Sequence, residues 1–331
     1  MDETKNAQWR RIQVDSLHWL LQTPRLTTQY KAFYFSFSNG AKGYVQFAYG
    51  NLGFMVRVAP LGYTFYPAPG SGGRAVVAST TVLARNLVVS QDRYSIQLGA
   101  LHSLHHDGKG TFQIVVKGQV QYDLAFTLTS EGFEVCDFGR ASAPTYITHK
   151  IFPLAAVSGT YTESGCQSEP VTGIGTYIEA LFVGEKFTNL GYTWTNFILR
   201  RPTTSSALTL LQYHSRSTGD VVSFASKTVE GKIVRVTSDA HASLEDLYLD
   251  PESGYRIPAR VEVRLGDERL GMQAALASTT DVLSIFPKWA KDIVSMWSGA
   301  PYVFVYHQDV SHDGVEGEAM SEVTFIHKPP T

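Results

Sequence analysis

The sequence predicts a mostly antiparallel β protein, and three observations support that fold class. Aromatic residues are plentiful, with 17 Tyr, 18 Phe and 5 Trp among 331 residues. The 28 Gly provide sites for tight bends. Strand-like runs rich in aromatic and β-branched residues recur at the short, even spacing that a meander or a closed barrel gives. We therefore expect an all-β protein whose antiparallel strands form a meander or a closed barrel.

The length of the chain predicts two domains. A chain of 331 residues is long for one domain and suits two of about 150 residues each. The segment TESGCQSEP, residues 162–170, is polar and ends in a proline, as boundary segments often do. We therefore expect one barrel in residues 1–165 and a second in residues 166–331, although either barrel could donate a strand across this boundary.

The first half begins with a short polar arm or helix over residues 1–25. We expect its apolar residues to dock on the end of a barrel; these are Leu17, Trp19, Leu20 and Leu21. YKAFYFSFSN and GYVQFAYGN form a predicted hairpin with its turn at Gly40 to Gly43. Later strands are predicted at LGFMVRVAP, RAVVAST, NLVVSQ, YSIQLGA, TFQIVVKG, VQYDLAFTLT and FEVCDFG.

The second half repeats this plan and adds one late helix. Strands are predicted at HKIFPLAAVSGTYT, TGIGTYIEALFVG, YTWTNFILR, ALTLLQYHS, GDVVSFASKTVE, KIVRVTS and ARVEVRL. The helix is expected at about residues 280–297, with Asp281 as its N-cap. The spacing of its apolar residues indicates a helix that closes one end of the second barrel or a lid over a pocket.

Composition and motifs exclude several classes of function. A net charge of −2 indicates no nucleic-acid partner. The polar N-terminus, the absence of a long apolar run and the presence of only two cysteines indicate a cytoplasmic protein without stable membrane insertion. No GxSxG, HExxH, P-loop or dinucleotide motif occurs, and the histidines of LHSLHH lie near a hairpin tip. We expect neither a cofactor nor a metal.

Several segments resemble one fungal family. YKAFYFSF…GYVQFAYGN, HKIFPLAAVSGTY, TYIEALFVGEKFTNLGYTWTNF, DVLSIFPKWAKDIVSMWSGAPYVFVYHQ and EGEAMSEVTFI are similar to segments of the oxidative-stress survival factors. That resemblance covers most of the chain. It implies two lipocalin-like antiparallel β-barrels in tandem, a fold whose barrels hold small apolar molecules.

The resemblance implies two different functions. The survival factors are similar to lipid carriers that handle sphingolipids such as ceramide. Related two-barrel proteins include carotenoid-hydratase-like proteins and cofactor-free cyclases of fungal natural-product pathways. ETKNAQWRRIQVD has too small an apolar face for the amphipathic membrane-binding helix of a carrier. The leading hypothesis is therefore a cofactor-free isomerase or cyclase, and the alternative is a non-catalytic lipid carrier.

Glu179 is the candidate catalytic acid. Strand alternation in TYIEALFV places Tyr177 and Glu179 on one face. If that face lines a barrel, burial should raise the pKa of Glu179 and keep it protonated, ready to donate a proton to an epoxide, alkene or carbonyl. The alternative is a surface carboxylate, with Ile178, Ala180 and Phe182 inside.

The remaining candidates lie on neighbouring polar positions of the predicted strands. Tyr192 and Asn196 are expected to orient the substrate in catalysis, and Trp194 to stabilise a developing cation with its π face or simply to pack in the core. The other substrate-binding candidates are Tyr177, His214, Gln212 and His149.

Overall fold

The computed structural model describes residues 8–20, 27–51, 57–83, 86–136, 146–164, 166–183, 191–214, 221–273, 275–282, 301–312 and 315–326. The chain divides into two compact units, Gln8–Gly184 and Glu185–Thr331. Both units are built from antiparallel strands, so the predicted all-β, lipocalin-like class is confirmed. Short 3₁₀ helices span Val14–Ser16 and Pro202–Thr204.

The first unit is a single nearly closed sheet. Its strands are β1 (Gln8–Ile12), β2 (Thr27–Phe37), β3 (Lys42–Asn51), β4 (Arg57–Tyr66), β5 (Val76–Leu83), β6 (Leu87–Val89), β7 (Ile96–Leu98), β8 (His102–His106), β9 (Thr111–Val116), β10 (Val120–Leu128), β11 (Gly132–Cys136), β12 (Tyr146–Glu163) and β13 (Glu169–Val183). They pair in the order β5-β4-β3-β2-β13-β12-β10-β9-β8-β7-β6, while β11 joins β1 to β12. The predicted hairpin at β2 and β3 is present, and Gly40 adopts the positive φ of 90° that its turn requires.

Aromatic side chains fill the interior of the first unit. The ring centroid of Phe33 lies 5.1 Å from that of Phe112 and 5.2 Å from those of Phe126 and Tyr177. Such edge and tilted contacts add to the stabilisation gained from burying the rings. All four rings are fully buried. This part of the barrel is therefore a packed core.

The second unit contains two sheets. Its strands are β14 (Thr193–Arg201), β15 (Ser206–His214), β16 (Val221–Val229), β17 (Lys232–Thr237), β18 (Ala240–Leu249), β19 (Arg256–Leu265), β20 (Glu268–Gln273), β21 (Leu276–Asp281), β22 (Tyr302–His312) and β23 (Val315–Phe325). One sheet has the order β17-β16-β15-β14-β23-β22-β21, and the other has the order β18-β19-β20. Their facing side chains form a second core that includes Phe197, Leu210, Val261 and Phe304.

The structure divides the chain at a different place from the predicted boundary at 165/166. That position lies between β12 and β13, which pair along their length as a hairpin of the first sheet. β13 also pairs with β2, so residues 169–183 lie within the first unit. Residues 162–163 end β12 and residues 169–170 begin β13, so this polar segment includes the ends of two paired strands. Polar residues at the tip of a hairpin have the same composition as a linker.

The predicted late helix falls largely outside the described residues. Thr280 and Asp281 end strand β21, where they pair with Val303 and Tyr302 of β22. Asp281 is therefore a strand residue and not a helix N-cap. Residues 283–300, which carry the rest of the predicted helix, lie outside the described ranges.

Candidate functional site

The N-terminal arm docks on the first unit, as the sequence predicts. Leu17 and Trp19 are fully buried and belong to the aromatic core. The Trp19 backbone N–H donates to the Arg93 carbonyl at 2.8 Å, and the Tyr94 hydroxyl donates to the Asp15 carbonyl at 2.8 Å. The arm is thus held by apolar burial and by hydrogen bonds to the loop between β6 and β7.

Glu179 lies beneath this arm, between two lysines. Its cross-strand partners are Lys31 on β2 and Lys150 on β12, and cross-strand partners project from the same face. The carboxylate lies 3.0 Å from Lys31 Nζ and 3.5 Å from Lys150 Nζ. It also accepts hydrogen bonds from the Tyr177 hydroxyl at 2.7 Å and from Gln29 Nε2 at 3.0 Å. Glu179 therefore faces inward, with both carboxylate oxygens bonded.

The partners of Glu179 in turn bind backbone groups of the arm. Lys31 Nζ donates to the Leu17 carbonyl at 2.5 Å and lies 5.0 Å from the centroid of the Trp19 ring, a cation–π distance. Lys150 Nζ donates to the Ser16 carbonyl at 2.6 Å. One buried polar cluster thus joins β2, β12 and β13 to the arm.

Gln29 completes this cluster. Its side-chain oxygen accepts from the Leu20 N–H at 2.8 Å, and its amide nitrogen donates to the His18 carbonyl at 3.2 Å as well as to Glu179. We call Gln29, Lys31, Lys150, Tyr177 and Glu179 the arm-anchoring cluster. Because its members satisfy one another and the arm carbonyls, its charges can remain buried.

The arm-anchoring cluster keeps Glu179 ionised. Burial is the largest single influence and raises the pKa of Glu179, but Lys31, Lys150 and the hydrogen bond from Tyr177 together outweigh it and lower the pKa to about 2. Burial and the adjacent Glu179 raise the pKa of Tyr177 well above its usual value. The two ammonium groups on the adjacent strands therefore favour an ionised Glu179 over the neutral, proton-donating one that the sequence predicts, and the sequence alone did not reveal them.

His149 lies on the other face of the same sheet. It pairs with Ala180, one position from Glu179, and its ring makes an edge contact with Phe182 at 6.1 Å. Burial lowers its pKa to about 3, which makes it a neutral imidazole at pH 7. His149 and Glu179 are both predicted site residues, but the structure places their side chains on opposite faces of the sheet.

Tyr192, Trp194 and Asn196 belong to the second unit, whereas Glu179 and Tyr177 belong to the first. Along β14 the core-facing residues are Phe197 and Leu199, so alternation places Trp194 and Asn196 on the opposite face from that core. Both are buried, and the Trp194 ring stacks on Tyr213 with centroids 4.5 Å apart. Trp194 and Asn196 therefore share a face of β14, and the core of the second unit lies on the opposite face.

Gln212 and His214 have separate environments on β15. The Gln212 amide accepts from the Ala242 N–H and donates to the Ala242 carbonyl, both at 2.8 Å, and so joins the two sheets of the second unit. His214 is half-buried, and burial together with nearby His241 lowers its pKa. The side-chain amide of Gln212 therefore holds β15 to β18, because both its oxygen and its nitrogen are hydrogen-bonded to the backbone of β18.

Sequence reasoning missed Lys31 and Gln29, although a signal for them exists. In TTQYKAFYFSF the residues Gln29, Lys31, Phe33 and Phe35 share one alternation face, and the two phenylalanines mark that face as the core. A lysine on the core-facing side of a strand needs a buried anion as its partner. Glu179, on another apolar strand, is such an anion.

In the part of the chain that the structure describes, no three His, Cys, Asp or Glu side chains form a cluster suited to a metal ion. No helix in those same ranges is both long and apolar enough to cross a membrane.

Comparison with known proteins places the chain in a family. It is 40% identical to Survival factor 2 of Schizosaccharomyces pombe over 348 aligned positions, covering 97% of this chain and 96% of that protein. Its fold is similar to that of an AttH-type protein from Nitrosomonas europaea, with a TM-score of 0.64, 13% identity and coverage of 91% and 93%.

Two further solved structures share the fold. Kievitone hydratase from Nectria haematococca has a TM-score of 0.58, 10% identity and coverage of 90% and 88%. CghA in complex with Sch210972 has a TM-score of 0.61, 10% identity and coverage of 91% and 89%. The Svf1 family model matches residues 1–327. The chain therefore belongs to the Svf1 family.

Proposed function

We propose that this protein binds a hydrophobic small molecule and carries it unaltered, with a long-chain, ceramide-like lipid as the first candidate. One observation carries this choice over the acid-catalysed alternative. The inward-facing carboxyl that an acid catalyst needs, Glu179, is a carboxylate committed to Lys31 and Lys150. A carrier needs an apolar binding region and no acid.

The other buried carboxyl of the described residues is also committed. Glu134 lies in β11, and its carboxylate is 2.6 Å from Arg10 Nε and 2.5 Å from the Arg10 terminal nitrogen. Both guanidinium nitrogens contact the same oxygen, Oε2, so an arginine occupies this carboxyl group. Both buried glutamates are therefore committed to partners within the fold.

Family membership supports the same choice. Survival factor 2 aligns with nearly the whole chain at 40% identity, whereas the hydratase and the cyclase-like neighbour are each 10% identical and are similar in fold alone. The resemblance of the survival factors to lipid carriers makes an unaltered lipid the expected ligand.

Native mass spectrometry of the purified full-length chain, followed by organic extraction, tests the proposal. We expect a long-chain lipid near one per protein, recovered with unchanged mass after prolonged incubation. Glu179→Gln serves as the matched variant, because it removes the charge and keeps the shape. The folded variant should retain the same lipid. A time-dependent conversion of the lipid that this variant abolishes contradicts the proposal.

A second candidate is a cofactor-free ring closure, which the shared fold with CghA favours. Such a reaction needs orientation and shielding but no strong acid. Tyr192 and Asn196 would orient the substrate, and Trp194 would shield a polarised transition state. Incubation with polyene or prenylated metabolites tests this candidate, with Asn196→Leu as the variant. A product that forms equally fast without protein excludes it.

A further inference from the structure

The second unit has a small cavity that is lined by residues of both its sheets. The walls come from the end of β14, the start of β15, the end of β16, the end of β19 and the start of β20. Leu199, Leu208, Val263, Leu265 and Leu270 form its apolar surface. The cavity volume is about 50 Å³, enough for a short alkyl segment and too small for a large ring system.

Three charged residues of the cavity lining, Arg201, Lys227 and Glu268, form what we call its mouth. They occupy strand positions that normally face a core. Arg201 follows the core residue Leu199 by two positions on β14, and Lys227 follows the core residue Ala225 by two on β16. Glu268 precedes the core residue Leu270 by two on β20. Because side chains two apart share a face, these three charges project toward the interior.

The cavity lining carries an excess of positive charge. Arg201, Lys227 and Arg269 contribute three cations, while Glu268 contributes one carboxylate, and all four line the cavity. Lys227 Nζ lies 2.7 Å from Glu268 Oε1, so one ion pair joins the two sheets across the entrance. The side chains are 35% and 40% exposed, and ion pairs this exposed contribute little stability and exchange partners readily.

We infer that this mouth binds an amphiphile with a short alkyl segment in the cavity and a carboxylate at Lys227 and Arg201. The leucine and valine walls receive the alkyl segment, and each buried methylene should improve affinity by roughly fourfold until the cavity is full. The carboxylate replaces Glu268 as the partner of Lys227. This inference goes beyond the proposed function, because a ceramide-like lipid has an uncharged head group and a long chain, whereas this cavity suits a short-chain carboxylate.

Calorimetric titration of the full-length chain with sodium acetate, butanoate and hexanoate, and with neutral 1-hexanol, tests the inference. Affinity should rise along the acid series and be at least tenfold higher for hexanoate than for 1-hexanol. Lys227→Met should weaken hexanoate binding by about tenfold and leave 1-hexanol unchanged. Glu268→Gln should strengthen hexanoate binding several-fold, because the competing carboxylate is gone.

Lys109→Met is the matched control, since Lys109 is an exposed lysine at a hairpin tip of the first unit. It should leave every affinity unchanged. Equal binding of hexanoate and 1-hexanol, or hexanoate binding that is insensitive to Lys227→Met, overturns the inference. If that happens while the extracted protein still holds a long-chain lipid, the proposed function stands and only the charged-head site fails. If no lipid is extracted and hexanoate binds as expected, the proposed carrier function fails and the site remains.

Discussion

Each unit contains a lysine–glutamate pair of nearly the same length, in very different surroundings. Lys31 Nζ lies 3.0 Å from Glu179, with side chains 0% and 3% exposed. Lys227 Nζ lies 2.7 Å from Glu268, with side chains 35% and 40% exposed. The first pair is enclosed under the arm, and the second spans an open mouth. Distance alone therefore says little about what an ion pair does.

The surroundings decide the role of each pair. The charges of the arm-anchoring cluster cannot return to water unless the arm leaves, so losing one partner strands the other in a low-dielectric interior. The charges at the mouth are already hydrated, so they can exchange partners at little cost. We therefore assign a structural role to the buried pair, Lys31 and Glu179, and a ligand-binding role to the exposed pair, Lys227 and Glu268.

Lys31→Met should produce the largest effect, about 3–5 kcal/mol lost from the free energy of unfolding, because Glu179 then stays buried with one ammonium fewer. Urea unfolding with hydrogen exchange of β2 peptides measures it. Lys31→Met combined with Glu179→Leu should recover much of the loss, since no charge is stranded. A loss below about 1 kcal/mol for the single variant contradicts the architectural role.

Glu179→Gln should show a loss that depends on pH. The pKa of Glu179 is about 2 in the fold against an ordinary 4.5, so its stabilisation is complete above pH 4.5 and disappears as the pH falls toward 2. The difference in unfolding free energy between wild type and variant should be on the order of 3 kcal/mol at pH 7. Unfolding curves at several pH values measure it; a difference that does not shrink on acidification argues against an ionised Glu179.

His149→Leu should make the free energy of unfolding depend less on pH below pH 6.5. Burial lowers the pKa of His149 to about 3 from 6.5, so the unfolded chain binds a proton below pH 6.5 that the fold does not. Stability conferred by the neutral ring therefore falls as the pH drops from 6.5 toward 3, by at most about 1.4 kcal/mol per pH unit. Equilibrium unfolding between pH 7 and 4 checks this, with exposed His105→Leu as control; an unchanged slope for His149→Leu counts against it.

Lys227→Met should have the smallest effect on folding, less than about 1 kcal/mol, because the pair is exposed. The same unfolding assay measures it, followed through peptides of β16 and β20. Together with Lys31→Met, this variant tests the comparison directly. A loss as large as that of Lys31→Met means that the mouth pair is also architectural.

Much of the fold was predictable from residues close in sequence. The strands of the first unit follow from alternating apolar residues, and the docking of Leu17 and Trp19 follows from two large apolar side chains in a polar arm. The resemblance to the survival factors predicted the lipocalin-like class. The inward face of Glu179 was one of two alternatives, and alternation could not choose between them because Ile178 and Phe182 are buried as well.

The domain division and most site roles needed the structure. A hairpin turn and a linker share a polar composition, so residues 162–170 could not reveal that β13 pairs with β2. The face of Trp194 and Asn196 depended on where the second core lies. Whether Gln212 faces a ligand or clamps Ala242 depended on the arrival of β18 beside β15.

The sequence by itself determined an antiparallel β protein with a docked arm and a carboxylate on an otherwise apolar strand, β13. Only the tertiary structure decided that this carboxylate is ionised, because Lys31 is 148 residues away in the chain and meets Glu179 only when β2 pairs with β13. Strand alternation is a local property that each segment carries alone. The ionisation state of a buried side chain depends on the groups around it, and in a sheet those groups come from segments that are distant in sequence.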